Sequence, residues 1–284
     1  MYNLIKNEYN NINRIIIIGD VHGDLKRFKK ILIDAKIINN KLEWIAEPPN
    51  TIVVQLGDQI DSLNRVPGLK EWETIKDIEM LYFTDSLDKI ARSYNGRLIS
   101  LIGNHELMNV LGDFSYVSKN SNYEWRDKSF NPDGNMTQLL LNRPLVLKIN
   151  DLLFSHSKFS LDHYNLLKKY NKDIYYVNEL WKKLILRDKN ISSDDLILIN
   201  ELILGSNGIL WNRDANIKKE TEELYNLIKC RFSFVGHTQS TKINLIDEQI
   251  WYCDTGLSRS FGYDEFLYLD INNFNISIKK INDI

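Results

Sequence analysis

Residues 14–23 read RIIIIGDVHG. Four isoleucines in succession follow Arg14, and the run stops abruptly at Gly19. A short, continuous, β-branched run of this kind predicts a strand buried on both faces. Residues 24–35 (DLKRFKKILIDA) follow, with Leu25, Phe28, Ile31, Leu32 and Ala35 near helical spacing and Asp24 placed to cap the first turn. The opening therefore predicts strand, glycine-containing loop, helix.

The unit recurs downstream. Residues 51–55 (TIVVQ) run into Leu56-Gly57-Asp58, residues 71–93 have a helical pattern, and residues 97–101 (RLISL) run into Ile102-Gly103-Asn104. Strands alternating with helices at this spacing predict an α/β protein whose sheet has parallel segments. Functional side chains of such sheets gather at the carboxyl ends of the strands. Residues 113–134 are polar and aromatic and read as loop. Residues 144–149 and 151–155 read as a hairpin about Asn150-Asp151, and residues 160–229 are mostly helical with breaks at Gly205 and Gly208. Residues 231–235, 243–246, 250–253, 265–270 and 274–280 read as later strands. Neither a linker rich in Pro, Gly or Ser nor an internal repeat is visible. The expected organisation is an N-terminal tail (1–13) and a single domain (14–284) with helical insertions near 107–142 and 160–229.

Composition narrows the classes. The 284 residues suffice for one sizeable core, and the 43% hydrophobic share argues against wholesale disorder. With 36 basic against 38 acidic residues, the formal charge of −2 lacks the basic footprint of a dedicated nucleic-acid binder. Two cysteines cannot form a disulfide scaffold and suggest a reducing compartment. The counts of 32 Asn and 36 Ile suggest an AT-rich coding sequence, with most Asn serving as solvated turn residues. Residues 1–13 lack a secretory pattern, and the longest apolar stretches, such as 196–204, fall short of the ~18 residues that span a bilayer. The expectation is a soluble cytoplasmic protein.

The chemistry concentrates at five predicted strand ends. They are Gly19-Asp20-Val21-His22-Gly23, Gly57-Asp58-Gln59-Ile60-Asp61, Gly103-Asn104-His105-Glu106, Ser155-His156 and Gly236-His237-Thr238. Each alone has an ordinary explanation, as a capping Asp, a helix start or a core histidine. Together they place four of the chain's 5 His at strand ends, and a glycine adjoins the polar residue in four of the five. Asp, His and Asn without thiolates suit a two-metal site for Mn, Fe or Zn and exclude a Cys-type structural zinc site.

In this order the motifs resemble the calcineurin-like metallophosphoesterase superfamily across residues 14–255. Residues 103–117 (GNHELMNVLGDFSYV) and 208–213 (GILWNR) are similar to the Shewanella-like branch of the phosphoprotein phosphatases. The resemblance implies a β-sandwich of two mixed sheets flanked by helices. It also implies two divalent metal ions, Mn favoured over Fe or Zn, with Asp20 and His22 on the first, Asp58 bridging, and Asn104, His156 and His237 on the second. His105 would be the general acid, oriented by Asp61. Two cations roughly 3.5–4 Å apart share a hydroxide and clamp the oxygens of an in-line phosphoryl displacement, so no covalent enzyme intermediate is needed. A His paired with a carboxylate suits proton donation to the departing alkoxide.

Two motifs depart from the pattern. The family's Asp-Arg-Gly reads Asp61-Ser62-Leu63-Asn64-Arg65 here, so Arg65 would have to reach back toward the phosphate. The family's His-Gly-Gly reads His156-Ser157-Lys158, and Lys158 is either a phosphate contact or, on our reading, a solvated charge. Arg213 is the stronger phosphate-binding candidate, because a guanidinium fork matches phosphate oxygens. Arg259 is a weaker one. Asp254 reads as a partner of the metal ligands, His163 as a helix-surface residue, and Cys230 and Cys253 as small buried hydrophobes. The expected substrate is phosphoprotein or a phosphorylated small molecule. A dinucleoside polyphosphate hydrolase or phosphodiesterase on the same metals, and a catalytically silent metal-binding adaptor, are the competing readings.

Overall fold

The computed structural model describes residues 6–68, 77–215 and 217–283. The described strands are β1 (Glu8–Tyr9), β2 (Arg14–Ile18), β3 (Ile52–Gln55), β4 (Arg97–Ser100), β5 (Val146–Ile149), β6 (Leu152–Ser155), β7 (Phe232–Val235), β8 (Asn244–Ile246), β9 (Ile250–Tyr252), β10 (Glu265–Asn272) and β11 (Asn275–Asn282). The described helices are α1 (Leu25–Asp34), α2 (Asp77–Ser93), α3 (Asn104–Val110), α4 (Arg126–Phe130), α5 (Asn135–Leu140), α6 (Leu161–Lys169), α7 (Tyr176–Ile185), α8 (Ser193–Ile199) and α9 (Lys218–Ile228). Among the described residues no helix is long and apolar enough to cross a membrane.

The strands form two mixed sheets, ordered β1-β5-β6-β7-β9-β8 and β11-β10-β2-β3-β4. β2, β3 and β4 run parallel, with Ile16 opposite Val53 and Val53 opposite Leu98. β6, β7 and β9 run parallel in the other sheet. The isoleucine run explains the layering through the period-two alternation of a strand. Ile15 and Ile17 join Val54, Phe154 and Phe234 in a core between the sheets. Ile16 and Ile18 face the other way, into a core with Phe28 of α1 and Leu87 of α2. A third core covers the outer face of the six-stranded sheet, where Val146 and Leu153 meet Trp181 of α7 and Leu198 of α8. The α/β sandwich with flanking helices is the architecture the motifs imply.

Several expectations are modified. Glu8–Tyr9, within the expected tail, pairs with β5 in parallel, and the Asn150 side chain exchanges hydrogen bonds with the backbone of Ile12. The stretch 113–134, read as loop, contains α4, which folds around the buried Arg126. The start of the helix expected from residue 71 lies outside the described residues, and α2 is described from Asp77. The hairpin about Asn150-Asp151 forms, with Ile149 opposite Leu152 and Asn150 at φ 55°.

The inter-sheet core holds the strand ends in register. Phe154 and Phe234 stack there, with ring centroids 5.2 Å apart. Phe234→Ala is expected to lower unfolding free energy by about 3–5 kcal/mol, read from urea denaturation midpoints.

Candidate functional site

The two sheets bring their carboxyl ends to one edge of the sandwich. Asp20 and His22 leave β2, Asp58 and Asp61 leave β3, and Asn104 and His105 open α3 after β4. His156 follows β6 and His237 follows β7. Asp20, His22, Asp58, Asn104, His105 and His237 line one cavity of about 410 Å³, together with Arg65 and Arg213. His156 is fully buried and contacts Asn104.

The backbone turns sharply to aim these side chains. His22, Asp58, Asp61 and His237 have φ of 42°, 51°, 67° and 60°, in the left-handed region that non-glycine residues rarely occupy. Such conformations cost about 1–3 kcal/mol each and persist where the surroundings over-determine them. The determinants are visible. The Asp58 carbonyl accepts the Val21 and His22 N–H groups at 3.1 and 3.0 Å, and the Gln59 carbonyl accepts that of Gly23 at 2.7 Å. Two glycines give the carboxylates room: a Cβ on Gly103 would strike Asp58 Oδ1, and one on Gly236 would strike Asp20 Oδ1.

Glu106 locks two of these ends together. Its carboxylate accepts the N–H groups of Asp58 (3.0 Å), Gln59 (2.8 Å) and Gly103 (2.7 Å). Sequence reasoning gave it no role, although Glu three residues after the position preceding a helix is a capping signature.

Each imidazole has one nitrogen on an acceptor, and in His22 and His237 this leaves the other nitrogen to carry the lone pair. His22 Nδ1 donates to the Ile60 carbonyl (3.1 Å), and His156 Nδ1 to that of Leu56 (2.8 Å). His237 Nε2 donates to the Trp211 carbonyl (3.2 Å). His105 differs, because its Nδ1 donates to a carboxylate, Asp61 Oδ2, at 2.8 Å. Potential ligand atoms of His22, Asp58 and His105 lie within 4.8 Å of one another, as do those of Asp58, His156 and His237. Asp58 is common to both groups. Asp20 lies outside them and accepts the His237 N–H at 3.0 Å.

The donor set fits divalent metal. Asp20, Asp58 and Asp254 are buried carboxylates facing the same cavity. Burial, then the neighbouring Asp254 and Asp58 carboxylates, pushes Asp20 well above the usual carboxylate range. Burial pushes Asp254 up to about 6. Two imidazoles are pulled down, His237 to about 3 by burial and then His156, and His22 well down by burial and then His105. His105 and His156 are held up against burial by the Asp58 carboxylate, and the surrounding imidazoles, also against burial, hold Asp58 well below the usual carboxylate range. The crowding of Asp20, Asp254 and Asp58 leaves Asp20 and Asp254 short of positive charge, and buried oxygen and nitrogen donors of this kind suit a divalent cation.

The profile of the calcineurin-like phosphoesterases matches residues 13–241. The chain belongs to that family. It is a metal-dependent phosphoesterase of the phosphatase type. A Shewanella-like protein phosphatase 1 of Plasmodium berghei is 28% identical over 300 aligned residues, which cover 97% of this chain and 77% of that one. A Shewanella-like protein phosphatase 2 of Arabidopsis thaliana is 31% identical over 116 residues, 41% of this chain and 26% of that one. The cold-active protein-tyrosine phosphatase of a psychrophilic Shewanella species has the same fold, with a TM-score of 0.79 at 22% identity, covering 99% of this chain and 83% of that one.

The flanking residues sort differently from expectation. Lys158 is neither a solvated charge nor a lining residue of the cavity. It is 9% exposed, and its Nζ donates to the carbonyls of Asp214 (3.1 Å) and Ala215 (2.9 Å), bracing the loop after Arg213. Arg259 grips Asp24 with two bonds of 2.8 Å and braces the first loop. His163 is buried instead of lying on a helix surface: Nδ1 accepts the Ser160 N–H, and Nε2 donates to the Asn207 carbonyl. Cys253 is buried and Cys230 partly so. Arg65 does reach back to the cavity, over the rings of Tyr116 (4.7 Å) and Phe261 (5.7 Å). Sequence reasoning missed Tyr116, Phe261 and Trp211 as lining residues, and Arg126 and Asp77 behind Asp61.

Glu106→Ala would leave three buried N–H groups without their acceptor. At about 1–3 kcal/mol for each orphaned group, the expected loss is about 3 kcal/mol or more, read by thermal or urea unfolding.

Proposed function

We propose that this protein hydrolyses phosphomonoesters, with phosphoprotein as substrate, at a centre of two divalent cations. The observation that carries the reading is the convergence of Asp20, His22, Asp58, Asn104 and His237 with two arginines on one cavity, His156 being buried against Asn104. Asp20 and His22 would hold one cation, Asn104, His156 and His237 the other, and Asp58, common to both donor groups, would serve either. When bound, the cations supply Lewis-acid chemistry, lowering the pKa of water and drawing charge from phosphoryl oxygens.

The chain's own residues supply the rest. Arg213 and Arg65 bind the phosphate, with the Arg65 guanidinium steadied by the Leu63 carbonyl at 2.9 Å and by the Tyr116 ring. His105 is the general acid. With Nδ1–H committed to Asp61, its Nε2 carries the proton given to the leaving oxygen. Tyr116, Phe261 and Trp211 offer apolar surface to the side chain that bears the phosphate. The Plasmodium and Arabidopsis relatives are protein phosphatases by name, and the Shewanella protein of the same fold is a protein-tyrosine phosphatase, which supports a phosphoprotein substrate.

Asp58→Asn is expected to abolish turnover of an aryl phosphate assayed with manganese; full activity in that variant would sink the mechanism. Arg213→Ala is expected to raise KM for the same substrate about tenfold, the scale of a lost charge-assisted hydrogen bond, with a smaller change in kcat. After metal stripping, re-addition of Mn is expected to restore activity better than Fe or Zn. Phosphopeptides are expected to be turned over faster than diadenosine tetraphosphate or a bis-aryl phosphate. The reverse preference would favour the diesterase reading, and bound metal without turnover of any phosphoester would make the protein an adaptor.

A further inference from the structure

We propose that Arg126 and Asp77 are positioning residues for proton transfer, acting through Asp61 on His105. The inference rests on the reading of His105 as general acid. Asp61 is fully buried and has two carboxylate oxygens to place. Oδ2 accepts from His105 Nδ1 at 2.8 Å. Oδ1 is occupied from the other side, by Asn109 Nδ2 at 2.9 Å and an Arg126 terminal nitrogen at 3.2 Å. Its backbone N–H is held by Asp77 Oδ2 at 3.0 Å. These contacts fix the rotation of the carboxylate, so that one oxygen is presented to the imidazole.

Arg126 is built for this and for nothing else within reach. It is 1% exposed. Its Nε donates to Asn109 Oδ1 (2.8 Å), one terminal nitrogen to Asp77 Oδ1 (3.1 Å) and the Ser121 carbonyl (2.9 Å), and the other to Asp61 Oδ1 (3.2 Å) and Asp77 Oδ2 (2.9 Å). A guanidinium has five N–H groups, and these five contacts use them all. Arg126 therefore has no donor left for phosphate. Asp77 supplies the second carboxylate, so the guanidinium is shared and Asp61 is not drawn away from His105 into a closed bidentate pair. The network links four segments, the end of β3, α2, α3 and α4. A carboxylate held from three directions keeps the imidazole it orients at a fixed angle to the cavity.

The test uses leaving-group dependence, which a purely structural role would not move. Phenol, with a pKa of about 10, needs a proton as it departs, whereas a dinitrophenolate does not. Purified full-length wild type, Arg126→Met, Asp77→Asn and His105→Asn, all loaded with manganese, are compared on phenyl phosphate and dinitrophenyl phosphate, with thermal unfolding of each as the folding control. In Arg126→Met and Asp77→Asn, kcat on phenyl phosphate is expected to fall about tenfold or more, the scale of losing an orienting partner, with KM little changed and a distinctly smaller loss on dinitrophenyl phosphate. Equal losses on both substrates, or no loss in a folded variant, would overturn the proposal. So would failure of both variants to fold, which would assign the network to stability alone. His105→Asn separates the layers: if it shows no leaving-group dependence, the general-acid reading itself fails, whatever Arg126 does.

Discussion

The Glu106 carboxylate ties the end of β3 to the end of β4, and the centre depends on that tie. Three N–H groups point at one buried acid, which fixes the backbone of Asp58 and Gln59 against Gly103. The Asp58 carbonyl then fixes the loop after β2 by accepting from Val21 and His22. The Asp58 side chain accepts the His105 N–H at 3.0 Å, which settles where α3 begins. Three strand ends are thereby locked to one another before any cation is considered. The left-handed conformations of His22, Asp58 and Asp61 are sustained by this lattice of short bonds.

The second sheet joins by a different route. His237 is anchored through its N–H on Asp20, and His156 through Nδ1 on the Leu56 carbonyl. Both bonds cross from one sheet to the other. The packing of Phe154 and Phe234 between the sheets therefore has a functional consequence, because it sets the distance that those two bonds must close. Core and site are coupled mechanically through a few bonds at the open edge of the sandwich.

Much of this was legible in the residues. The isoleucine run, the recurring strand-to-glycine stops and the five polar strand ends were sufficient for the α/β class and the family, because they are local patterns tied to the chain's periodicity. What escaped were contacts between segments that local patterns do not join. Arg126 lies in a stretch with no clear period, and its importance comes from Asp61 and Asp77, 65 and 49 positions away. Lys158 and His163 were misjudged for the same reason: a charged or imidazole side chain reads as solvated until the carbonyls that bury it are known. Exposure is a tertiary property, and neither residue has a sequence neighbour that announces its acceptors.

The same distinction decides which arginines remain for phosphate. A guanidinium whose donors already meet carboxylates inside the protein would have to break those buried contacts to hold a substrate, at a cost of several kcal/mol. Arg126 is committed to Asp61 and Asp77, and Arg259 to Asp24. Arg65 and Arg213 both face the cavity, one steadied by aromatic rings and the other exposed on a loop that Lys158 braces from behind. Arg65, a few residues after Asp61, lines the cavity, and its backbone N–H is held by the Ser260 carbonyl at 2.9 Å. Lys158, in the place of the second glycine of the family's His-Gly-Gly, spans from the end of β6 to the Arg213 loop. On this argument the two departures are linked. One places a guanidinium further along the chain, and the other places a buried ammonium where the motif has glycine, bracing the loop that carries Arg213.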